Sequence, residues 1–501
     1  MSEPTSSSDP EINPIVAKLS DFPDRMSPMI VKELRQGLRT RTFTGTFLIL
    51  QVILGFAMLA AMMSDSSDVG QMISSMVFFL FSIVALILQP LRGVTAVASE
   101  MKDDTLEIMS LTQLTSVRIV YGKWASIISQ TALMLASTIP YLVMRYFFGG
   151  MQLFAELSLL FTIFYFSACL TALTVGFSCS RSVVLRALVP LLLIPFGLMG
   201  IGQFSFGREF SFLIEVFTFQ EKELNIGFLV LFVLATYLAY YFLDMGVSRI
   251  AVTAENHSFR KRMISLVLMV VVLIAMILNP PAQDACLMVM LAFSCAIGLD
   301  VCTENPVSVS HVLKPFVKRG RLAQIVGRSF FYPGWHSGFF LLLILMAATF
   351  FIGEFTFTER PFRKFPGEIG LTDEAVLVIL GVFYSILAPL LVVRLFIKKI
   401  KEPFPGYILV LVMSALLTMM STLFTEMSRS DGDDFMMLAS WIPGTWILFL
   451  SSGKEEVGIV FTGFFLAVVC LLLWILTSRE YGRTMALETM ARVALAEDEK
   501  S

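Results

Sequence analysis

Twelve apolar stretches run through the 501-residue chain, and its Lys and Arg residues gather on alternate connections between them. Threading the stretches to and fro from a cytoplasmic N-terminus puts about 29 of the 37 Lys and Arg on one side and about 8 on the other, the positive-inside bias of polytopic membrane proteins. A hydrocarbon core about 30 Å thick takes about 20 helical residues to cross. The stretches fall at 44–63, 71–90, 124–145, 154–178, 187–204, 225–244, 263–279, 284–301, 337–353, 374–396, 405–425 and 456–477. They are continuously apolar instead of alternating, which predicts helices and not the strands of a barrel. Only 15% of the residues are charged, too few to cover a soluble domain of this length. The expected fold is an all-α polytopic membrane bundle of about 12 transmembrane helices, with both termini cytoplasmic.

The same composition narrows the chemistry. A net charge of −2 gives no reason to expect a nucleic-acid partner. The six cysteines form no CxxC pair and read as small hydrophobes, not as metal ligands. His257, His311 and His336 are far apart, and no HExxH or GxSxG pattern is present, so neither a catalytic site nor a metal or cofactor site is expected. His336, beside Trp335, is expected at the membrane interface among aromatic anchors. Asp244, Asp300 and Arg394 stand near the cytoplasmic ends of spans and read as interfacial anchors, while Gln51, Gln89 and Gln130 are the polar groups expected inside. Residues 1–26 read as a disordered cytoplasmic tail. Residues 435–450 are apolar but short and carry Pro443 and Gly444, which predicts a re-entrant dip from the outer side held by Trp441 and Trp446.

Two six-span membrane domains, 27–262 and 263–501, follow the same rhythm. Each has two spans, a cytoplasmic segment of about 30 residues, three more spans, an outer excursion (205–224 and 426–455) and a last span. Glu100 precedes Gly122-Lys123 much as Glu304 precedes Gly327-Arg328. This suggests a degenerate parallel duplication, with coincidence as the alternative.

Two cytoplasmic segments carry a mechanism. Before the first span, Ser27-Pro28 starts a helix in which Ile30, Val31, Leu34 and Leu38 recur at helical spacing. Lys32, Arg35 and Arg39 are displaced from that apolar side, and Glu33 lies among them. This describes an amphipathic elbow on the inner leaflet, or else a plain basic anchor. Between spans two and three, Asp104 and Glu107 stand as in a capping box, so a short helix can begin near Thr105. Leu106, Ile108, Met109 and Leu111 crowd onto it until Thr112 and Thr115 break the run. Apolar residues concentrated on such a loop usually dock against something.

The order of elbow, two spans and "SEMKDDTLEIMSLTQLTSVRIVYGK" resembles the permease subunit of bacterial type-two ABC exporters. The match falls on Glu100, Thr105, Leu106, Glu107, Thr112, Leu114, Gly122 and Lys123, and covers roughly residues 27–245. Asp104 stands where that family often has glycine, and Gln113 where it often has proline. The resemblance implies that the region is a coupling helix seated in a groove of a cytoplasmic ATPase. It also implies an inner-membrane location and transport, with no enzymatic activity of the chain's own. No GxxxxGK[ST] loop is present, so the ATPase would be a separate subunit. The expected coupling set is Glu100, Thr105, Leu106, Glu107, Ile108, Met109, Leu111, Thr112 and Lys123, with Lys32, Glu33, Arg35 and Arg39 on the elbow. The chain would work as a homodimer or in a heteromeric permease complex. The alternatives are a membrane anchor or sensor that recruits an ATPase without transporting, or a polytopic enzyme acting on lipid.

Overall fold

The computed structural model describes residues 28–63, 69–102, 115–148, 153–180, 182–206, 222–251, 257–278, 283–307, 309–356, 371–396, 403–427, 437 and 439–498. Every regular element among them is helical. The elbow is α1 (Pro28–Leu38), followed by α2 (Arg41–Met62). The second span is a composite of α3 (Val69–Ser82), a π-turn (Ile83–Leu88), α4 (Gln89–Ala96) and α5 (Ala98–Lys102). Pro90 explains the break: it has no N–H to donate and its ring crowds the preceding turn, so the ladder widens just before it.

Next come α6 (Ser116–Arg145), α7 (Leu153–Ser178), α8 (Val183–Phe206) and α9 (Lys222–Ile250). The second set starts with α10 (His257–Leu278) and α11 (Gln283–Thr303). A loop module then carries α12 (Lys314–Lys318), α13 (Arg321–Val326) and a π-turn (Gly327–Phe331). It leads to α14 (Trp335–Thr356), α15 (Asp373–Phe396), α16 (Pro403–Met427), α17 (Trp446–Ser451) and α18 (Glu455–Asp498).

The chain is an all-α multi-pass membrane protein. Ten of the described helices are long and apolar enough to cross a bilayer. The other two expected spans are helical as well, but the apolar part of α8 is shorter, and α10 opens with three consecutive cations. The surfaces left open are apolar: Leu48, Val52 and Phe56 on α2, Met413 and Met420 on α16, and Phe464, Leu471 and Trp474 on α18 are all exposed. In a bilayer such faces meet acyl chains and carry no penalty.

Packing pairs recur along the chain. The fourth and sixth spans of the first set, α7 and α9, pack extensively, as do α15 and α18 in the second. The second span leans on the fourth in both sets, α4 on α7 and α11 on α15. Small residues allow the closest approaches. A Cβ on Gly176 of α7 would collide with the Phe242 carbonyl of α9, and one on Gly338 of α14 would collide with Val301 of α11. The two sets meet where α9 packs on α10 and α11, through Tyr237 against Phe293 with ring centroids 4.5 Å apart.

All the basic ends lie together. The ends of α5, α7, α9, α11 and α15 meet the starts of α6, α10, α14 and α16, which is the up-and-down order the charge bias demands.

At the opposite end, residues 439–451 do not cross. Turns through Pro443 and the six-residue α17 fold back onto α15, where Tyr384 donates to the Trp441 carbonyl at 2.5 Å and Ser385 to that of Pro443 at 2.7 Å. Ser385 lies 12 residues into α15, so the turn reaches about 18 Å along that helix. Trp446 closes the dip, its indole donating to Ser385 at 3.2 Å over the bare backbone of Gly381.

Replacing Gly176 with alanine is expected to cost about 1–3 kcal/mol by overpacking α7 on α9. Alanine at Gly45, where a Cβ meets nothing within 4 Å, should be neutral to within about 0.5 kcal/mol. Unfolding of the two variants in detergent measures the difference.

Candidate functional site

The charged groups of the basic end form three linked clusters. In the first, Lys123 of α6 sits between two carboxylates, 3.4 Å from Glu33 of the elbow and 2.8 Å from Glu100 of α5. Its side chain is only 8% exposed. A lysine held there without counter-charge would be costly, so the two acids fix where α1 and α5 can lie. The elbow packs along α6, with Gly37 against Gln130, while Lys32, Arg35 and Arg39 point outward. Arg92 of α4 adds a bond to Gln89 at 3.2 Å, another to Thr40 beyond the elbow at 3.3 Å, and a third to Gln130.

Three of the expected residues, Glu33, Glu100 and Lys123, therefore come together at one point. Thr115 caps the start of α6, its hydroxyl accepting from the Arg118 amide at 3.4 Å. The expected coupling residues Thr105, Leu106, Glu107, Ile108, Met109, Leu111 and Thr112 lie outside the described residues, between Lys102 and Thr115.

The second cluster was not legible as a unit. Arg260, Lys261 and Arg262 open α10, and each takes a different acid. Arg260 pairs with Asp244 at the end of α9. Lys261 lies 2.6 Å from Asp300, which also accepts from Tyr241 at 3.1 Å. Arg262 lies 2.5 Å from Glu304 and donates to the carbonyls of Phe330 at 2.7 Å, Tyr332 at 3.0 Å and Gly334 at 3.2 Å. Gly334 (φ 135°) returns its own N–H to Glu304 at 3.1 Å, a backbone shape that a side chain would strain. Asp244 and Asp300, expected as interfacial anchors, are instead almost wholly buried and paired. Arg394 stacks 4.9 Å over Trp335 and donates to the Cys302 carbonyl at 3.3 Å. His336, expected at the membrane interface beside aromatic anchors, follows Trp335 at the start of α14 and is completely enclosed by the protein. The available signal was the cation triplet of α10 facing acids that end α9 and α11.

The third cluster lies beyond the membrane. The 44-residue α18 outruns the bilayer, and its last turns pack on the loop module. Glu488 accepts from Arg328 Nε at 3.2 Å, again from its Nη2, and from the Tyr332 hydroxyl at 2.8 Å. Burial, then the Glu488 carboxylate, push the Tyr332 phenol above its ordinary pKa, so it remains a donor. Arg492 reaches Gln324 of α13 at 3.1 Å. Buried Thr484, Glu488 and Ala491 recur at the alternating three-and-four spacing of a packed helix stripe. Glu304 and Arg328, placed like Glu100 and Lys123 in the chain, do not pair with each other: Glu304 turns to α10 and Arg328 to α18.

No known protein family, characterised protein or solved structure matches the chain.

Breaking the Arg328–Glu488 pair from one side, as Glu488→Leu or Arg328→Met, is expected to cost about 3–5 kcal/mol by stranding a buried charge. The double variant should recover most of that loss. Proteolysis of the segment after Arg479 checks both expectations, since release of α18 from the loop module exposes it to cleavage.

Proposed function

We propose that the chain is the membrane-spanning permease subunit of an ABC-type exporter in a bacterial inner membrane, driven by a separate ATPase. The basic end of the bundle is the cytoplasmic side in this reading. The observation that carries it is the Lys123 hub. Residues 103–114 are the segment that resembles a coupling helix, and both of its roots are tied to the elbow through one buried ammonium. A force applied to that segment cannot move α5 without also moving α6 and α1, because separating any of the three strands a charge.

ATP-driven closure of a docked ATPase pair would then rock the spans as bodies between inward and outward openings. The small-residue contacts of α7 with α9 and of α11 with α14 make those bodies stiff.

A photoreactive side chain at Ile108 or Met109 should capture, in intact cells, a polypeptide that azido-ATP labels. Glu107→Lys should reduce that capture at least tenfold, and Lys123→Met should lower it while Lys123→Arg retains it. No nucleotide-binding protein at either position overturns the reading. Inside-out vesicles then separate an exporter from an ATPase-recruiting anchor. The exporter takes up, on addition of ATP, the amphiphile that co-purifies with the chain, and the anchor does not.

A further inference from the structure

The second cluster holds more hydrogen-bond donors than its own residues use. Arg262 commits both terminal nitrogens to Glu304, Ser337 and the carbonyls of Phe330, Tyr332 and Gly334, yet its Nε is buried and donates to nothing. Arg394 of α15 is in the same position. Its Nη2 donates to the Cys302 carbonyl at 3.3 Å, and its Nε is buried without an acceptor. His336 is wholly enclosed, and neither ring nitrogen has a partner. Folded proteins rarely gather so many unsatisfied buried groups in one place without a water or an ion among them.

These three side chains surround the end of α11. Arg394 lies on Cys302 and Arg262 on Glu304. The His336 ring lies against the Gly334 turn, where an added Cβ would come within 2.9 Å of its Nδ1 and 3.0 Å of Pro306. Both guanidinium charges act on that ring. The charges do not balance: Arg260, Lys261, Arg262 and Arg394 face Asp244, Asp300 and Glu304, four cations to three acids. Arg394 is the cation left over. No acid among the described residues forms an ion pair with it, and Glu480, which acts on it from a distance, is bonded to Arg483. A trapped water could accept some of the free donors but would leave the charge uncompensated. An anion answers both.

We propose that Arg262, Arg394 and His336 form a binding site for one phosphate group. The free Nε of each guanidinium and an imidazole N–H donate to its oxygens, and its negative charge balances Arg394. Donors arriving from three helices, α10, α14 and α15, suit a tetrahedral group better than a planar carboxylate. Two sources share this chemistry, a phospholipid headgroup and free phosphate. Of the three residues only Arg394 has exposed surface, and it stands at the end of span α15 among exposed Val392, Leu395 and Phe396. A phospholipid reaching the site would lay its chains on those three side chains. The site is independent of the ATPase reading: a filled site ties the ends of α10, α11, α14 and α15 together whatever drives the bundle.

The test uses the full chain in detergent, washed free of lipid, with its unfolding temperature as the readout. Without ligand, Arg394→Met should be at least as stable as the wild type, because it removes an uncompensated charge. Short-chain phosphatidylglycerol or inorganic phosphate should then stabilise the wild type, with affinity at least tenfold weaker in Arg394→Met and in His336→Phe. Two variants on separate helices keep the result readable if one does not fold. A response to phosphatidylglycerol, but not to inorganic phosphate or to diacylglycerol of the same chain length, makes the source a lipid. A response to inorganic phosphate makes free phosphate sufficient. No response of the wild type to either phosphate probe, an equal response to diacylglycerol, or an equal response in the variants overturns the proposal.

Discussion

A charge brought to the mouth of a bilayer keeps its ionised form only if an opposite charge is brought with it. The basic end of this bundle is organised around that demand. Lys123 takes Glu33 and Glu100, Lys261 takes Asp300, and Arg262 takes Glu304. Each pair joins elements that the chain reaches separately, so the pairing sets which helix ends are neighbours. Arg262 goes further, gathering three backbone carbonyls of the turn before α14, those of Tyr332 and Gly334 being shared with the Ser337 hydroxyl. Removing one member of such a set costs more than its bonds, because the partner left behind has no water to turn to.

Within the spans the organising force is different. Lipid tails are as apolar as leucine, so burial of Leu and Phe drives little association there. What remains is close fit, and the glycines supply it: Gly176 lets α7 lie on the backbone of α9, and Gly381 lets Trp446 lie flat on α15. α9 belongs to both sets of spans, closing the first through α7 and seating the second through Tyr237, Tyr241 and Asp244. This helix and the charges at its end make the two sets one assembly.

The spans themselves were legible in the residues, because twenty continuous apolar residues have few other uses. The elbow and its polarity were legible too, from Ile30, Val31, Leu34 and Leu38 set against Lys32, Arg35 and Arg39. The pairings were not. Glu33 and Lys123 are 90 residues apart and Arg328 and Glu488 are 160 apart, and no local pattern names such partners. Asp300 looked like an anchor because a span end with an acid is ordinary, and only the position of α10 shows that Lys261 covers it. The extension of α18 could have been suspected from the spacing of Tyr481, Thr484, Glu488, Ala491 and Leu495. It was hidden because that stripe is polar at its centre.

The longest helix has a mechanical consequence. From its packing against α17 near one end to the Arg328 clasp towards the other, α18 runs 44 residues without a proline, a rod of about 66 Å. Pivoted at one end, such a rod converts a lean of about 5° into a sweep of about 6 Å at its far tip. A small displacement at one end is therefore magnified, not absorbed, by the time it arrives at the other.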